Sequence, residues 1–189
     1  MKFLYGILLV TLVLVACGET TMKNPIVVFE TTKGTFEVEL TPQQAPVSTE
    51  NFLNYTKEGH YNGLIFHRVI DGFMVQGGGF TPDMQERDVH APIKNEAGNG
   101  LKNDKYTIAM ARTNVVDSAT SQFYINVADN AFLNHQENSP RGFGYAVFGK
   151  VISGQATIDA MKGVETHSVD HFDDVPVEPI VIKKAYVKN

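Results

Sequence analysis

The 189-residue sequence predicts a mostly β domain: a closed eight-stranded antiparallel β-barrel capped by two α-helices. Three observations carry that expectation. Eight short runs rich in β-branched and aromatic residues are set apart by Gly, Pro and Asn. Two further segments switch to a helical period. No repeat or linker divides the chain, and closing the sheet would remove its exposed edges.

Residues 26–30 and 35–40 open the domain as a hairpin turning over residues 31–34. Phe36, Val38 and Leu40 alternate there with Thr35, Glu37 and Glu39, as in a strand wet on one face. Pro42 and Pro46 break the chain, and residues 47–58 turn helical, with Ser48 or Thr49 as the cap and Gly59 as the stop. Phe52 and Tyr55, with Leu53 beside them, form the expected buried stripe. The next strands are residues 64–70 and 73–76. Strict alternation places Leu64, Phe66, Arg68 and Ile70 on one face, leaving a guanidinium on an otherwise apolar surface. An ion pair with Glu50 or Asp71 is the structural explanation open to Arg68.

Residues 81–105 hold few apolar groups and read as a long surface excursion. Strands follow at 106–111 and 122–127, then a helical turn near 130–133 and a glycine-rich loop to Gly144. Residues 145–152 form a strand and 155–162 a helix ended by Gly163. The segment holding His167, Asp170, His171, Asp173 and Asp174 lacks helical periodicity and ends at Pro176, so a solvated loop is expected rather than a metal site. Residues 181–187 close the barrel.

The amino terminus differs in kind. Lys2 precedes a nearly unbroken apolar run over residues 3–16. Its fourteen residues would span about 21 Å as a helix, short of the roughly 30 Å bilayer core, so the run reads as a signal peptide. Leu14-Val15-Ala16-Cys17 resembles the lipobox of bacterial lipoproteins. The division expected is therefore a lipoprotein signal over residues 1–16, a lipidated Cys17 with a short tether over 17–25, and a domain over 26–189. An ordinary secretory signal with a chance cysteine is the alternative. Cys17 is the only cysteine, so no internal disulfide forms in either case. The lipobox resemblance implies the bacterial cell envelope, with the domain tethered to a membrane and facing outside the cytoplasm.

Several function classes fall away. A formal charge of −5 argues against nucleic acid as a partner. Gly77-Gly78-Gly79 lacks the lysine and hydroxyl residue of a phosphate loop. No serine sits in a nucleophile elbow. What remains is Arg68, the Gln76 amide and a set of apolar side chains.

Those residues fall within a longer pattern. Phe66-His67-Arg68-Val69-Ile70 and Gly72-Phe73-Met74-Val75-Gln76-Gly77-Gly78 resemble the signature of cyclophilin-type peptidyl-prolyl isomerases. The likeness continues at Ala109-Met110-Ala111-Arg112, at Ser121-Gln122-Phe123-Tyr124-Ile125-Asn126 and at Val147-Phe148-Gly149-Lys150-Val151. It covers roughly residues 26–187 and is closest to the compact bacterial members. The resemblance implies the cyclophilin barrel, a monomer without a cofactor, and isomerisation of X–Pro bonds in exported polypeptides. A proline-binding module with little turnover is the alternative on the same fold.

By motif, Arg68 matches the catalytic arginine. Phe73, Met74 and Leu133 match walls of the proline pocket, and Gln76 the substrate-binding glutamine. Ala111, Arg112 through its backbone, and Gln122 match the groove for residues before proline. Three positions depart from the eukaryotic pattern: Tyr124 for a phenylalanine, Phe132 for a tryptophan and Tyr145 for a histidine. Losing the indole donor implies weak binding of cyclosporin-like inhibitors. The residues beyond Gln76 are expected to complete the site from the far side of the barrel.

Overall fold

The computed structural model describes residues 23–188, so the expected signal segment and Cys17 lie outside the described residues. Ten strands and two helices follow in order. They are β1 (Ile26–Thr31), β2 (Gly34–Leu40), α1 (Pro46–Lys57), β3 (Ile65–Ile70), β4 (Met74–Gly77), β5 (Thr107–Met110) and β6 (Phe123–Asn126). After a 3-10 turn at Ala131–Leu133 come β7 (Val147–Ser153), α2 (Gln155–Lys162), β8 (Thr166–Val169), β9 (Phe172–Pro176) and β10 (Ile180–Val187).

Eight strands close a barrel in the order β1-β10-β3-β4-β6-β5-β7-β2, every pair antiparallel. The expected barrel and both helices are present. Inward side chains of alternate strand positions fill it, with Phe29 and Phe36 stacked at 4.9 Å and Phe66 and Phe123 edge to face at 5.9 Å. Phe52 and Tyr55 of α1, and Ile158 and Met161 of α2, belong to the same buried cluster, so the helices complete the core that the strands enclose.

Three sequence expectations are corrected. The first concerns β3. Phe66 pairs with Gly77 but Arg68 pairs with Gln76, so the register shifts across His67. This bulge reverses the alternation: Phe66 and Val69 enter the core, whereas Arg68 and Ile70 turn outward. Phe66 and Arg68 therefore do not share a face. Gly77 is required opposite the bulge, since a Cβ there would lie 2.9 Å from the Ile65 carbonyl oxygen.

The second is the cap of α1. Ala45 is the N-cap, Pro46 opens the helix, and neither Ser48 nor Thr49 caps it. The cap comes from Glu96, whose carboxylate accepts the backbone N–H groups of Val47 (3.0 Å) and Ser48 (2.8 Å) and the Ser48 hydroxyl (2.7 Å).

The third is the segment after α2. It is no loop: β8 and β9 form a separate hairpin that packs on β3. Phe172 meets Phe80 edge to face at 5.0 Å and Val175 is buried, and these two side chains anchor an otherwise polar ribbon. No cluster of three potential metal ligands exists among the described residues.

Residues 81–105 are the long surface excursion expected, and polar contacts tie it down as a strap. Arg87 donates to the carbonyls of His60 (2.6 Å) and Asn62 (3.0 Å), the His90 amide donates to the Tyr55 hydroxyl (2.7 Å), and Asn99 donates to the Val147 carbonyl (2.9 Å). With few apolar residues to bury, the strap is held through backbone groups that would otherwise need water.

Candidate active site

A second, smaller apolar cluster lies outside the barrel, on the outward face of β4, β6, β5 and β7. Met74, Ala109, Tyr124 and Val147 are its buried members, with Phe73, Leu133 and Tyr145 half-buried around them. Met74, Tyr124, Phe73, Leu133 and Tyr145 border a cavity of about 120 Å³ that is also lined by Arg68, Gln76, Ala111 and Arg112. An outward strand face is ordinarily polar; here alternate positions on neighbouring strands are apolar, and the hollow between them is open to solvent.

The β3 bulge brings Arg68 to this hollow. Its guanidinium stands beside the apolar wall with side-chain hydrogen bonds to none of the described residues. Neither Glu50 nor Asp71 pairs with it. Asp71 lies 3.6 Å from Lys162, and the carboxylate near Arg68 is Asp174 of β9, at 3.8 Å from Nε. Burial and the adjacent Arg68 charge lower the His67 imidazole to about 4, so the neighbouring ring is neutral at pH 7.

On the next strand, the Gln76 side-chain amide donates to Oε1 of the Gln122 side chain at 2.9 Å. A Cβ on Gly79 would lie 2.6 Å from the Gln122 amide nitrogen, so the missing side chain makes room for that glutamine. Gln122 lines the adjoining grooves rather than the central cavity. Phe132 is 66% exposed and stacks on Phe73 at 5.6 Å, which places it at the rim. The other nine sequence-identified residues meet on the single cavity. They come from adjacent strands of one wall and the loops beside them, not from the far side of the barrel.

Arg112 contributes more than its backbone. Its guanidinium lies 4.6 Å from the Tyr145 ring centroid and donates to the carbonyls of Gly144 (3.0 Å), Thr113 (2.9 Å) and Pro140 (3.1 Å). Tyr145 in turn meets Tyr124 edge to face at 5.9 Å. Burial raises the Tyr124 phenol well above its ordinary value, and its hydroxyl donates to Asn103 of the strap at 2.7 Å. No spacing rule points to Asn103, which lies 21 residues from its partner.

The assembled surface presents two guanidiniums, that of Arg112 already engaged by backbone carbonyls, together with an amide pair and a ring-sized apolar hollow. Such a surface can hold a small apolar ring and offer hydrogen-bond donors to atoms beside it.

Known proteins are similar to this chain in sequence and fold. The family described as cyclophilin type peptidyl-prolyl cis-trans isomerase/CLD matches residues 26–187. A peptidyl-prolyl cis-trans isomerase of Streptomyces antibioticus is 59% identical over 157 residues, covering 83% of this chain and 95% of the relative. Peptidyl-prolyl cis-trans isomerase B of Escherichia coli is 49% identical over 162 residues, covering 86% and 99%. Among solved structures, a Cryptosporidium parvum cyclophilin type peptidyl-prolyl cis-trans isomerase, crystallised in the presence of the dipeptide Ala-Pro, superposes with a TM-score of 0.72 at 27% identity, covering 87% of this chain and 99% of that one. The chain belongs to the cyclophilin type peptidyl-prolyl cis-trans isomerase family, and it is a peptidyl-prolyl cis-trans isomerase.

Proposed function

We propose that the cavity takes the proline ring of an X–Pro substrate and that Arg68 is the catalytic group. The observation carrying this reading is a guanidinium without a hydrogen-bonded partner among the described residues, standing at the edge of an apolar hollow. Phe73, Met74, Tyr124 and Leu133 enclose the ring, while Gln76, Ala111 and Gln122 hold the chain before it, with Arg112 and Tyr145 at the margin and Phe132 on the rim.

The prolyl amide is planar through resonance, with a rotation barrier of about 18–20 kcal/mol. Uncatalysed isomerisation takes tens of seconds, and reaching milliseconds needs about 5–6 kcal/mol of selective transition-state stabilisation. No bond breaks, so the chemistry asks for neither nucleophile nor metal. At the twisted transition state the nitrogen recovers its lone pair and becomes an acceptor. Arg68 donates to it, a contact the planar ground state does not offer. The apolar walls grip the ring while the preceding carbonyl turns. Relaxation of a short X–Pro peptide tests the role. Arg68→Ala is expected to lower kcat/KM by about 100-fold to 1,000-fold, the range found when one preorganised donor is removed. Equal rates would overturn the assignment.

The same proposal extends to location. Leu14-Val15-Ala16-Cys17 supports lipidation of Cys17, with a tether leading into a family match that begins at residue 26. The enzyme would then serve exported polypeptides from a membrane surface. No helix of the described residues is long and apolar enough to cross a membrane, so in this reading the anchor is the lipid. Mass spectrometry of the mature amino terminus tests it; an unmodified Cys17, or cleavage elsewhere, would refute it.

A further inference from the structure

We infer that Asn103, which does not touch the cavity, is a positioning residue that fixes the aromatic walls of the proline pocket and thereby sets the ring size the pocket accepts.

Three aromatic residues bound the hollow, and all three are tied into one buried network. Tyr124 donates its hydroxyl to Asn103 Oδ1 at 2.7 Å. The Asn103 side-chain amide reaches the Tyr145 carbonyl at 3.4 Å and Asn134 Oδ1 at 3.2 Å. Asn103 Oδ1 also accepts from Asn126 (3.3 Å), and its backbone carbonyl accepts from the Asn130 amide (2.8 Å). Asn130 then donates to Asn126 Oδ1 (2.7 Å) and to the Phe73 carbonyl (2.8 Å). Asn103, Asn126 and Asn130 are buried, at 1%, 0% and 3% exposure. A polar network so enclosed and so fully bonded permits one arrangement, because any shift strands a donor or acceptor away from water.

This gives the strap a task. Without the hydroxyl, the floor ring would rest on apolar contacts alone and could tilt. Tyr124 instead carries a handle, and Asn103 holds it. An apolar pocket tells two ligands apart by one methylene only if its walls do not yield. The discrimination at stake is between proline and its six-membered homologue, pipecolic acid. The inference rests on the cavity being the ring site.

The experiment compares relaxation of Ala-Pro and Ala-pipecolyl peptides with the unmodified protein, Asn103→Ala, Tyr124→Phe and the double variant, thermal midpoints being recorded alongside. The ratio of kcat/KM for proline over pipecolate is expected to fall about threefold or more in each single variant, a fraction of what one methylene is worth in a rigid pocket. It is expected to fall no further in the double variant, since both changes cut the same bond. An unchanged ratio with a lowered midpoint would make Asn103 mere scaffold and overturn the inference, as would independent, multiplying effects. Should Asn103→Ala not fold, Tyr124→Phe decides alone, because Asn126 still donates to Asn103 Oδ1 and no buried acceptor is orphaned. Met74→Ala separates the two readings. If it leaves both efficiencies unchanged, the cavity is not the ring site and both readings fall. If it lowers them while the ratio ignores Tyr124 and Asn103, the positioning role alone is lost.

Discussion

Asp174 holds a carboxylate oxygen 3.8 Å from Nε of Arg68, across the seam between the β8–β9 hairpin and the barrel wall. Both side chains are about two-fifths exposed, at 42% and 38%, so solvent screens the pair strongly. Exposed pairs of this kind contribute about 0–1 kcal/mol. Asp174→Asn is therefore expected to shift the urea midpoint by less than about 1 kcal/mol in stability and to change kcat/KM by less than about fivefold. A loss as large as that of Arg68→Ala would make the hairpin carboxylate part of the catalytic apparatus.

The pH dependence follows from His67. Its folded imidazole titrates at about 4, held down first by burial and then by Arg68, against 6.5 for the ordinary group. Between those values the unfolded chain binds a proton that the folded chain does not, so stability falls as pH drops from 6.5 to about 4 and is level above. The shift corresponds to about 3 kcal/mol at 1.36 per unit. Thermal midpoints from pH 7 to 4.5 should decline more steeply in the unmodified protein than in His67→Phe; parallel slopes would rule out the imidazole. The rate should stay flat from about pH 6 to 9, because the guanidinium does not titrate there and His67 stays neutral. A drop with a midpoint near that of histidine would point to another catalytic group.

Much of this molecule was legible in its residues, where the signal is local. Alternation in residues 35–40 marks a real strand, and Gly163 ends α2 after Lys162 as expected. The resemblance to a known family signature points to Arg68, Phe73, Met74 and Gln76, and the structure brings all four to one hollow. What escaped is long-range or compensatory. Nothing in Phe66-His67-Arg68 says which residue is the extra one, yet the bulge decides which way the arginine faces. Ser48 and Thr49 offer plausible local caps, but Glu96, 48 residues beyond Ser48, wins because its charge serves two amides and a hydroxyl at once. The β8–β9 ribbon hides because only Val175 and Pro176 are buried in it, with Phe172 half-buried against Phe80.

Removing that distant cap is expected to weaken the fold without touching the chemistry. Glu96→Ala leaves the Val47 and Ser48 amides without their acceptor and loosens the strap from α1. Loss of a side-chain cap costs about 0.5–2 kcal/mol, and a charged acceptor lies toward the upper end. Urea unfolding should show that loss, with kcat/KM within about twofold of the unmodified protein. A collapse in rate at full stability would mean that the strap transmits the cap to the pocket.

The rim residue gives the sharpest contrast between stability and binding. Phe132 is 66% exposed, so Phe132→Ala removes little buried area and should leave the thermal midpoint nearly unchanged. It does remove the ring stacked 5.6 Å from Phe73, and with it part of the surface available to a proline-containing chain. The expected result is a raised KM with kcat largely kept, the pattern of lost uniform binding. Phe132→Trp should act in the other direction for cyclosporin-like ligands, since an indole adds an N–H donor that phenylalanine lacks. A neutral hydrogen bond is worth about 0.5–1.5 kcal/mol net, so affinity should rise about twofold to tenfold. If affinity stays flat while peptide turnover also stays unchanged, the rim lies outside the bound chain's path, and Phe132 serves only to shield Phe73 from water.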